Sequence, residues 1–259
     1  MRRIMMGIGS LAACALLVAA SAPPELLAQG KEVTAGVVID VRGKPRIVRR
    51  KDAAELDGIS REDKDKAGQR LKTNKFVYEG DVIITGRSDR AAVAFVGGAE
   101  VRINSNSEFV VESGGGRRPT SLFTRVGQAW TRMLHGKSGM NIRTPLAVAA
   151  VRGTEADVDM GQRLDVKVYE GHVDVSNKYG TQTLRAGMMT SVSGPGVAPA
   201  GARRMGEGDQ GSWQNALQPK AIEKKLQRLQ QKADKERKVQ LKYMQDGKPE
   251  ELNLELEKK

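Results

Sequence analysis

Cysteine is almost absent from this chain of 259 residues, since Cys14 is the only one and lies in the first apolar run. A lone cysteine excludes a disulfide framework, and a chain cut after this run would also lack a thiolate nucleophile and a zinc–thiolate site. Stability must therefore come from the burial of apolar side chains. The roughly 230 residues that remain after the run are enough to form one or two cores.

Aromatic residues are also scarce, at 4% of the chain. A chain with so few aromatics lacks the stacking platform of single-strand nucleic-acid binders, and we expect no nucleic-acid partner. Acidic residues are outnumbered, with 43 Lys and Arg against 31 Asp and Glu, and the formal net charge is +12. This charge favours an anionic partner such as an acidic glycan, a phosphate-bearing polymer or a membrane face.

The first residues show the pattern of a secretory signal. Two arginines precede an uncharged apolar run, Ile4–Ala20, and small residues with two prolines follow it. This pattern predicts a signal peptide over 1–28, cleaved after Ala28, and therefore export to the periplasm.

Two alternatives for this segment stay open. The apolar run of about 17 residues is just short of the roughly 20 that a spanning helix needs, so an uncleaved membrane anchor is one alternative. The stretch LAAC, Leu11–Cys14, is similar to a lipoprotein box, in which the cysteine would carry lipid. Apolar sequence continues past the cysteine, however, which favours soluble export over lipidation.

Residues 33–193 alternate as β-strands do. Apolar side chains recur at every second position from Val37 and on both sides of the pair Gly97-Gly98. A Gly-Gly pair between two alternating runs predicts a hairpin. Glycines divide the later runs, and no helical period intervenes. The pattern predicts an all-β domain over 33–193, built as a short-stranded β roll or sandwich or as a β-helix-like stack.

The composition changes after this domain. Residues 194–218 are rich in Gly, Pro and Ala and lack periodicity, which predicts a flexible linker. Apolar residues from Ile222 to Ala233 then recur at spacings of four, three and four. This single stripe predicts a basic amphipathic helix over 219–247. A frayed tail is expected over 248–259.

The predicted helix has two interpretations. Its candidate binding residues are the cations Lys220, Lys224, Lys225 and Arg228. They could dock on an acidic partner or on a membrane surface, or the helix could pack its stripe on the β domain. Interfacial helices usually carry Trp, Phe or Leu on a broad apolar face. The narrow stripe without aromatics therefore favours packing.

No motif predicts catalysis. The stretch HGKSG at His135 lacks the first glycine of a phosphate loop, because Thr131 stands at that position, and a plain turn is the better interpretation. Neither His135 nor His172, the only histidines, accompanies a nucleophile elbow. We predict that the chain is not an enzyme and has no cofactor and no metal site.

Three carboxylates share one predicted strand face, because Glu155, Asp157 and Asp159 alternate. Carboxylates so arranged suit a calcium ion or the hydrolysis of a glycoside. Basic cross-strand neighbours such as Lys167 are abundant, however, and favour an ordinary solvated face.

The stretch TPLAVAAVRGTEADV at 144–158 interrupts an apolar run with polar residues. Its Thr-Pro pair is expected to open a strand, since proline is tolerated at the first strand position. The run Leu146–Val151 is expected to be buried on both sides or covered. Gly153 predicts a corner or bulge, and the donors of Arg152 are expected to tie carbonyls or a carboxylate across it. We interpret RGTE as a structural corner.

This stretch resembles part of the FecR domain family. So do VYEGHVDV at 168–175, LRAGMMTSV at 184–192 and the upstream stretch 77–111, and the resemblance covers roughly 76–192. The residues that carry its structural motif are Thr144, Pro145, Arg152, Gly153, Thr154, Gly171 and Gly187.

The resemblance implies an extracytoplasmic all-β domain without known catalysis. In the best-understood members this domain senses the loaded state of an outer-membrane iron–siderophore receptor and relays the signal to a cytoplasmic sigma-factor-binding segment. Only Met1–Arg3 precede the apolar run here, so the sigma-factor step is not carried over. The resemblance thus implies a non-catalytic binding or sensing module of the bacterial envelope, with a signalling role left open.

The partner stays open between an envelope protein and an anionic polymer. In the second case the chain would be a structural or glycan-binding envelope module. Membrane contact through the N-terminal segment or the basic helix also stays open, and the sequence leaves the oligomeric state undetermined.

Overall fold

The computed structural model describes residues 32–49, 60, 63, 66–115, 118–134, 139–237, 239–245 and 248–254. The predicted signal peptide over 1–28 lies outside these residues, as does the stretch HGKS at 135–138. None of the helices in the described ranges is long and apolar enough to cross a membrane.

Strands dominate the described chain, so the all-β prediction with a C-terminal helix is confirmed. The strands are β1 Thr34–Arg42, β2 Arg46–Val48, β3 Gln69–Arg70, β4 Phe76–Tyr78, β5 Val82–Ile84, β6 Arg90–Phe95, β7 Ala99–Ile103, β8 Glu108–Ser113, β9 Thr120–Met133, β10 Met140–Arg143, β11 Val148–Met160, β12 Leu164–Asn177, β13 Gly180–Arg185, β14 Met188–Val192, β15 Arg203–Arg204, β16 Val239–Gln245 and β17 Lys248–Leu254. The α-helix, α1, is Ile222–Arg237.

Fifteen of these strands belong to one sheet. Its main path runs β15-β14-β12-β11-β10-β9-β7-β6-β1-β4, while β13 pairs with β12 and β8 leads from β9 to β5, β2 and β3. The strand pairs are antiparallel except β9 with β10, which run parallel. Most connections are short, as in an up-and-down arrangement of hairpins.

The sheet surrounds one main apolar core. Alternation in β7 illustrates how this core is assembled, because Val101 and Ile103 point inward and are fully buried while Arg102 points outward. Strands from β1 to β14 contribute to the same cluster of buried side chains. Each such Val or Ile stabilises the fold by about 1.5–3 kcal/mol relative to an exposed position.

Strands β11 and β12, which form one long hairpin, change partners halfway along. The first part of β11 pairs with β10 and its second part, from Glu155, pairs with β9. Its neighbour β12 pairs with β14 near its start and with β13 from His172 onward. A break at the middle of β11 and β12 is therefore needed to join the two parts of the sheet.

Helix α1 packs on the outer face of β1 and β6. Its stripe residues Leu226, Leu229 and Ala233 are buried against Val37 and Ile39, among other side chains. The helix thus packs its apolar stripe on the β domain, as its narrow width favours. At the far end, Glu236 accepts hydrogen bonds from the Thr34 amide at 2.9 Å and the Thr34 hydroxyl at 2.7 Å.

The helix is shorter than the predicted range 219–247. It ends at Arg237, and β16 pairs with β17 as a separate antiparallel hairpin. The sequence between these strands is Asp246-Gly247, a strong hairpin signal. The observed helix ends before this signal, and residues 248–254 form a strand, so the predicted frayed tail is wrong for these residues.

The segment predicted as a flexible linker, 194–218, lies along the sheet instead. It forms β15 and two 3-10 turns, Glu207–Asp209 and Trp213–Ala216. Its contacts include the 2.8 Å hydrogen bond that the Gln218 backbone amide donates to the Asp40 carboxylate, and the side chain of Leu217 is buried against the sheet. Composition reports the absence of periodic apolar residues, but it does not reveal hydrogen bonds to a distant strand.

Candidate docking surfaces

The RGTE motif forms a β-bulge. The register between β11 and β12 shifts after Arg152 and again after Glu155, and it is regular from Ala156 onward, so Gly153 and Thr154 lie opposite Gly171. Gly153 and Gly171 have φ values of 62° and 72°, in the left-handed region that favours glycine. A bulge of this kind bends the strand, and here it lies where β11 passes from β10 to β9.

A second turn is held against this bulge. Gly187, with φ of 78°, lies between β13 and β14, and its amide donates a 2.8 Å hydrogen bond to the Val168 carbonyl. The Ala186 amide donates a 3.1 Å hydrogen bond to the Gly171 carbonyl. The motif glycines of β12 and of the β13–β14 turn therefore belong to one structural unit.

The Thr-Pro pair does not open a strand. Thr144 and Pro145 form the turn between β10 and β11, and the strand begins at Val148. The Thr144 hydroxyl donates to the Ala147 carbonyl at 2.9 Å and accepts from the Leu146 and Ala147 amides, which closes the turn. Burial alternates from Val148 onward, so the run is not buried on both faces as predicted.

A buried polar cluster occupies the outer face of β7, β9 and β11. Glu100 is fully buried and accepts hydrogen bonds from Arg102 at 2.7 Å and from Arg132 at 2.8 Å. Both guanidinium groups lie over the ring of Trp130, at 4.7 and 5.4 Å from its centroid. Removal of one member of such a buried ion cluster leaves an uncompensated charge, which is strongly destabilising.

Asp157 belongs to the same face, and the prediction that it is solvated is wrong. It is 1% exposed. The Gln128 amide donates to both carboxylate oxygens, at 2.9 and 3.1 Å, and the Trp213 indole donates at 2.9 Å. Burial raises the pKa of Asp157 to about 6. Trp213 belongs to the segment 194–218, and strand alternation carries no information about such a cover.

The other two carboxylates of this face differ from Asp157. Glu155 accepts a 3.0 Å hydrogen bond from the Trp130 indole. Asp159 is half-buried, and burial raises its pKa, with the neighbouring Asp165 carboxylate as the next cause. In the described ranges, no group of three or more His, Cys, Asp or Glu side chains is arranged to hold a metal ion.

The contacts of the polar cluster stabilise the fold and are poorly arranged for proton transfer. A carboxyl with a pKa near 6 is a reasonable general acid or base when it can reach a substrate. The oxygens of Asp157 instead hold Gln128 and Trp213, and its side chain is closed to solvent. The arrangement fastens the 194–218 segment to the sheet.

The candidate binding cations of the C-terminal helix do not form one surface. Lys220, Lys224 and Arg228 are exposed. The Lys225 ammonium instead donates a 2.6 Å hydrogen bond to the Ile39 carbonyl, and burial lowers the pKa of this lysine. Lys225 therefore contributes to the contact between the helix and the sheet.

Strand β13 presents an open edge. Within the described part of the fifteen-stranded sheet it pairs only with β12, and it is the longest strand with a single partner. A two-residue turn joins β12 and β13. In such a hairpin the two residues that flank the turn, here Asn177 and Gly180, form backbone hydrogen bonds with each other, and the hydrogen-bonded pairs then alternate along the strands. Thr181, Thr183 and Arg185 consequently direct their backbone N–H and C=O groups away from β12. Their side chains are exposed.

Sequence reasoning did not single out this edge. The alternation in GTQTLR is visible, with threonines at positions 181 and 183 and a single apolar residue, Leu184. Such a strand carries polar side chains on both faces and one apolar residue, which is typical of an edge strand. Only the three-dimensional pairing shows that β14 lies along the other half of β12, and that no strand of the described residues pairs with the outer edge of β13.

One protein-family model matches part of this chain. The family model described as FecR protein matches residues 81–174, which run from the start of β5 into β12. Two crystal structures of a "putative anti-sigma factor" from Parabacteroides distasonis, at 1.65 and 2.50 Å resolution, are 16% identical, with a TM-score of 0.43. The matched region covers 48% of this chain and 59% of that protein. No curated protein matches the chain. Residues 81–174 of this chain thus match the FecR domain model, as the motifs around RGTE predict.

Proposed function

We propose that the chain is a non-catalytic protein, exported to the bacterial periplasm, whose FecR domain binds another envelope protein and takes part in signalling. The FecR domain supports a general sensing or signalling role in the envelope. The open edge of β13 is the observation that identifies a binding surface for this proposal, and β13 follows the FecR match directly in the chain.

Edge-strand addition is the proposed mechanism of binding. An exposed edge offers unpaired N–H and C=O groups to an extended segment of a partner. In β13 these groups belong to Thr181, Thr183 and Arg185. Threonine at two of these positions suits a pleated surface and would pack against β-branched side chains of an added strand.

The non-catalytic part of the proposal is supported by how the polar side chains are used. Asp157 holds Gln128 and Trp213, while Glu100 holds two arginines. These side chains stabilise the sheet and its cover, and the structure does not place them around an open cleft.

Capture experiments with paired variants of one residue test the docking site. Thr183→Pro removes the outward N–H, whereas Thr183→Val keeps it, and both remove the 2.7 Å hydrogen bond from Thr183 to Asp174. Proline is tolerated on edge strands. We expect one envelope protein to be captured at high salt by the wild type and the valine variant but not by the proline variant. Equal capture by both variants would contradict edge addition.

A second candidate function is binding of an anionic polymer. It is favoured by the net charge of +12 and by the exposed cations Lys220, Lys224 and Arg228. Contacts between exposed charges are screened over about 10 Å at 0.1 M salt. Retention on purified peptidoglycan that collapses between low and moderate salt, and that a triple Glu variant of these cations abolishes, would support this function over protein docking.

A further inference from the structure

We infer that the segment docking on β13 carries an acidic residue opposite Arg185 and an apolar or aromatic residue at the tip of the β12–β13 hairpin. The inference rests on the proposed docking at β13. It names the chemistry of the partner segment, and two independent features of this edge carry it.

The first feature is a row of basic side chains that ends at the open edge. Arg152 pairs in register with His172, and His172 pairs in register with Arg185. All three side chains are exposed. Adjacent strands lie about 4.8 Å apart, so directly opposite side chains are within interaction range.

A strand added beyond β13 would extend this row by one residue. Opposite charges at directly opposite positions are stabilising and like charges are destabilising. The residue next to Arg185 would therefore be Asp or Glu in a preferred partner, and Lys or Arg there would be rejected.

The second feature is an apolar tip at the other end of the strand. Tyr179 is 49% exposed and Val197 is 43% exposed, and they are two of the four large apolar side chains exposed among the described residues. The Asn177 amide donates a 2.8 Å hydrogen bond to the Val197 carbonyl, which holds this segment against the hairpin. A hydroxyl-bearing aromatic that is half exposed is a typical anchor of an interface.

The spacing of the two features defines the pattern of the segment. In an antiparallel addition, the residue opposite Arg185 is followed at intervals of two by those opposite Thr183 and Thr181. Tyr179 itself belongs to the two-residue turn before β13, so the end of the added segment passes over this tip just after the residue opposite Thr181. The segment thus has an acidic residue, then β-branched residues at every second position, and an apolar residue just beyond them, about six positions after the acid and about 20 Å away at 3.4 Å per residue.

A labelled peptide tests this pattern directly. The probe is a fluorescein-labelled Glu-Val-Thr-Val-Thr-Val-Phe peptide, and its binding to the purified protein is measured by fluorescence anisotropy. We expect Arg185→Glu to weaken binding about tenfold. A peptide with Lys in place of Glu should bind the wild type about tenfold more weakly, and it should regain binding to Arg185→Glu. Tyr179→Ser should weaken the Phe peptide but not a peptide with Gly in that place.

The matched control is Arg87→Glu, an exposed arginine in the turn between β5 and β6 that gives the same change in net charge. We expect it to leave peptide binding unchanged. Equal weakening by the Arg87 and Arg185 variants would overturn the inference, because the effect would then be one of net charge. If Arg185→Glu does not fold, the comparison of the Glu and Lys peptides on the wild type decides in its place.

The outcomes separate this inference from the proposed function. If the peptide fails to bind while an envelope protein is still captured in a manner that depends on the Thr183 backbone, the segment chemistry is wrong and docking at β13 stands. If neither binding is found, the proposed docking itself is wrong.

Discussion

A glycine at the bulge and a buried aspartate show how single residues shape this protein. Gly153 adopts a backbone conformation that other residues rarely adopt, and Asp157 keeps a carboxylate out of water. The two residues affect stability in opposite directions. Glycine at position 153 avoids backbone strain, whereas ionisation of the buried Asp157 carboxyl lowers the free energy of unfolding at neutral pH.

Replacement of Gly153 tests the strain at the bulge. No atom lies within 4 Å of a Cβ added at this position, so Gly153→Ala isolates the cost of the left-handed φ. We expect a loss of about 1 kcal/mol in the free energy of unfolding, measured by urea titration. Gly161→Ala is the matched control, because its added Cβ is equally free and its φ is outside the left-handed region. Equal stability of the two variants would contradict the role of the bulge.

The raised pKa of Asp157 predicts that the free energy of unfolding depends on pH. Its pKa rises from 3.8 to about 6 on folding, so the folded chain binds this proton more tightly than the unfolded chain. The stability that this proton provides is fully present below pH 3.8 and is lost as the pH rises through about 6. A change of this size corresponds to about 3 kcal/mol.

Asp157→Asn should therefore flatten the dependence of unfolding free energy on pH between about 4 and 7. Urea titrations across this range measure the effect. Asp209→Asn serves as the control, since hydrogen bonds from Arg203 lower the pKa of Asp209 to about 2 and it does not titrate there. An unchanged slope in Asp157→Asn would show that this carboxyl is not responsible.

At the scale of elements, the C-terminal helix shows what periodicity predicts and what it leaves open. The spacing from Ile222 to Ala233 predicts one apolar stripe, and that stripe is buried against β1 and β6. The predicted end of the helix lies ten residues beyond the observed end, because charge and composition continue unchanged while the chain enters β16.

Leu229→Ala tests whether the helix is an integral part of the fold. Leu229 is fully buried in the helix–sheet cluster. We expect the free energy of unfolding to fall by about 2–5 kcal/mol, as for other buried Leu-to-Ala substitutions. The exposed Gln227→Ala on the same helix should have almost no effect. Similar stability of the wild type and Leu229→Ala would mean that the helix docks only weakly on the sheet.

At the scale of the whole molecule, one main core joins strands from β1 to β14. The FecR match at 81–174 covers only part of these strands, yet β1, β13 and β14 contribute to the same core. Helix α1 and Leu217 bury a second apolar cluster on the outer face of β1 and β6. A truncation to the matched residues would therefore expose apolar surface that the full chain buries.

Export is a prediction about the whole molecule. We expect the protein in the periplasmic fraction, with Gln29 as its first residue after removal of 1–28. Cell fractionation with N-terminal sequencing measures both. An intact N terminus in the membrane fraction would indicate the anchor, and lipid attached to Cys14 would indicate the lipoprotein.

The sequence by itself determined the features that depend on near neighbours along the chain. Alternation predicts strands, Gly153 predicts the bulge, the stripe predicts the helix, and the order of motifs predicts the FecR domain. These succeed because backbone conformation and the facing of side chains repeat over a few residues.

Only the tertiary structure decided which surfaces are covered and which edge is open. Asp157 is buried by Trp213, which lies 56 residues further along the chain. The edge of β13 is open because β14 pairs with the other half of β12. Both outcomes depend on pairing and packing between distant segments. The free energies of those contacts are set by burial and hydrogen bonding in three dimensions, and no local pattern records them.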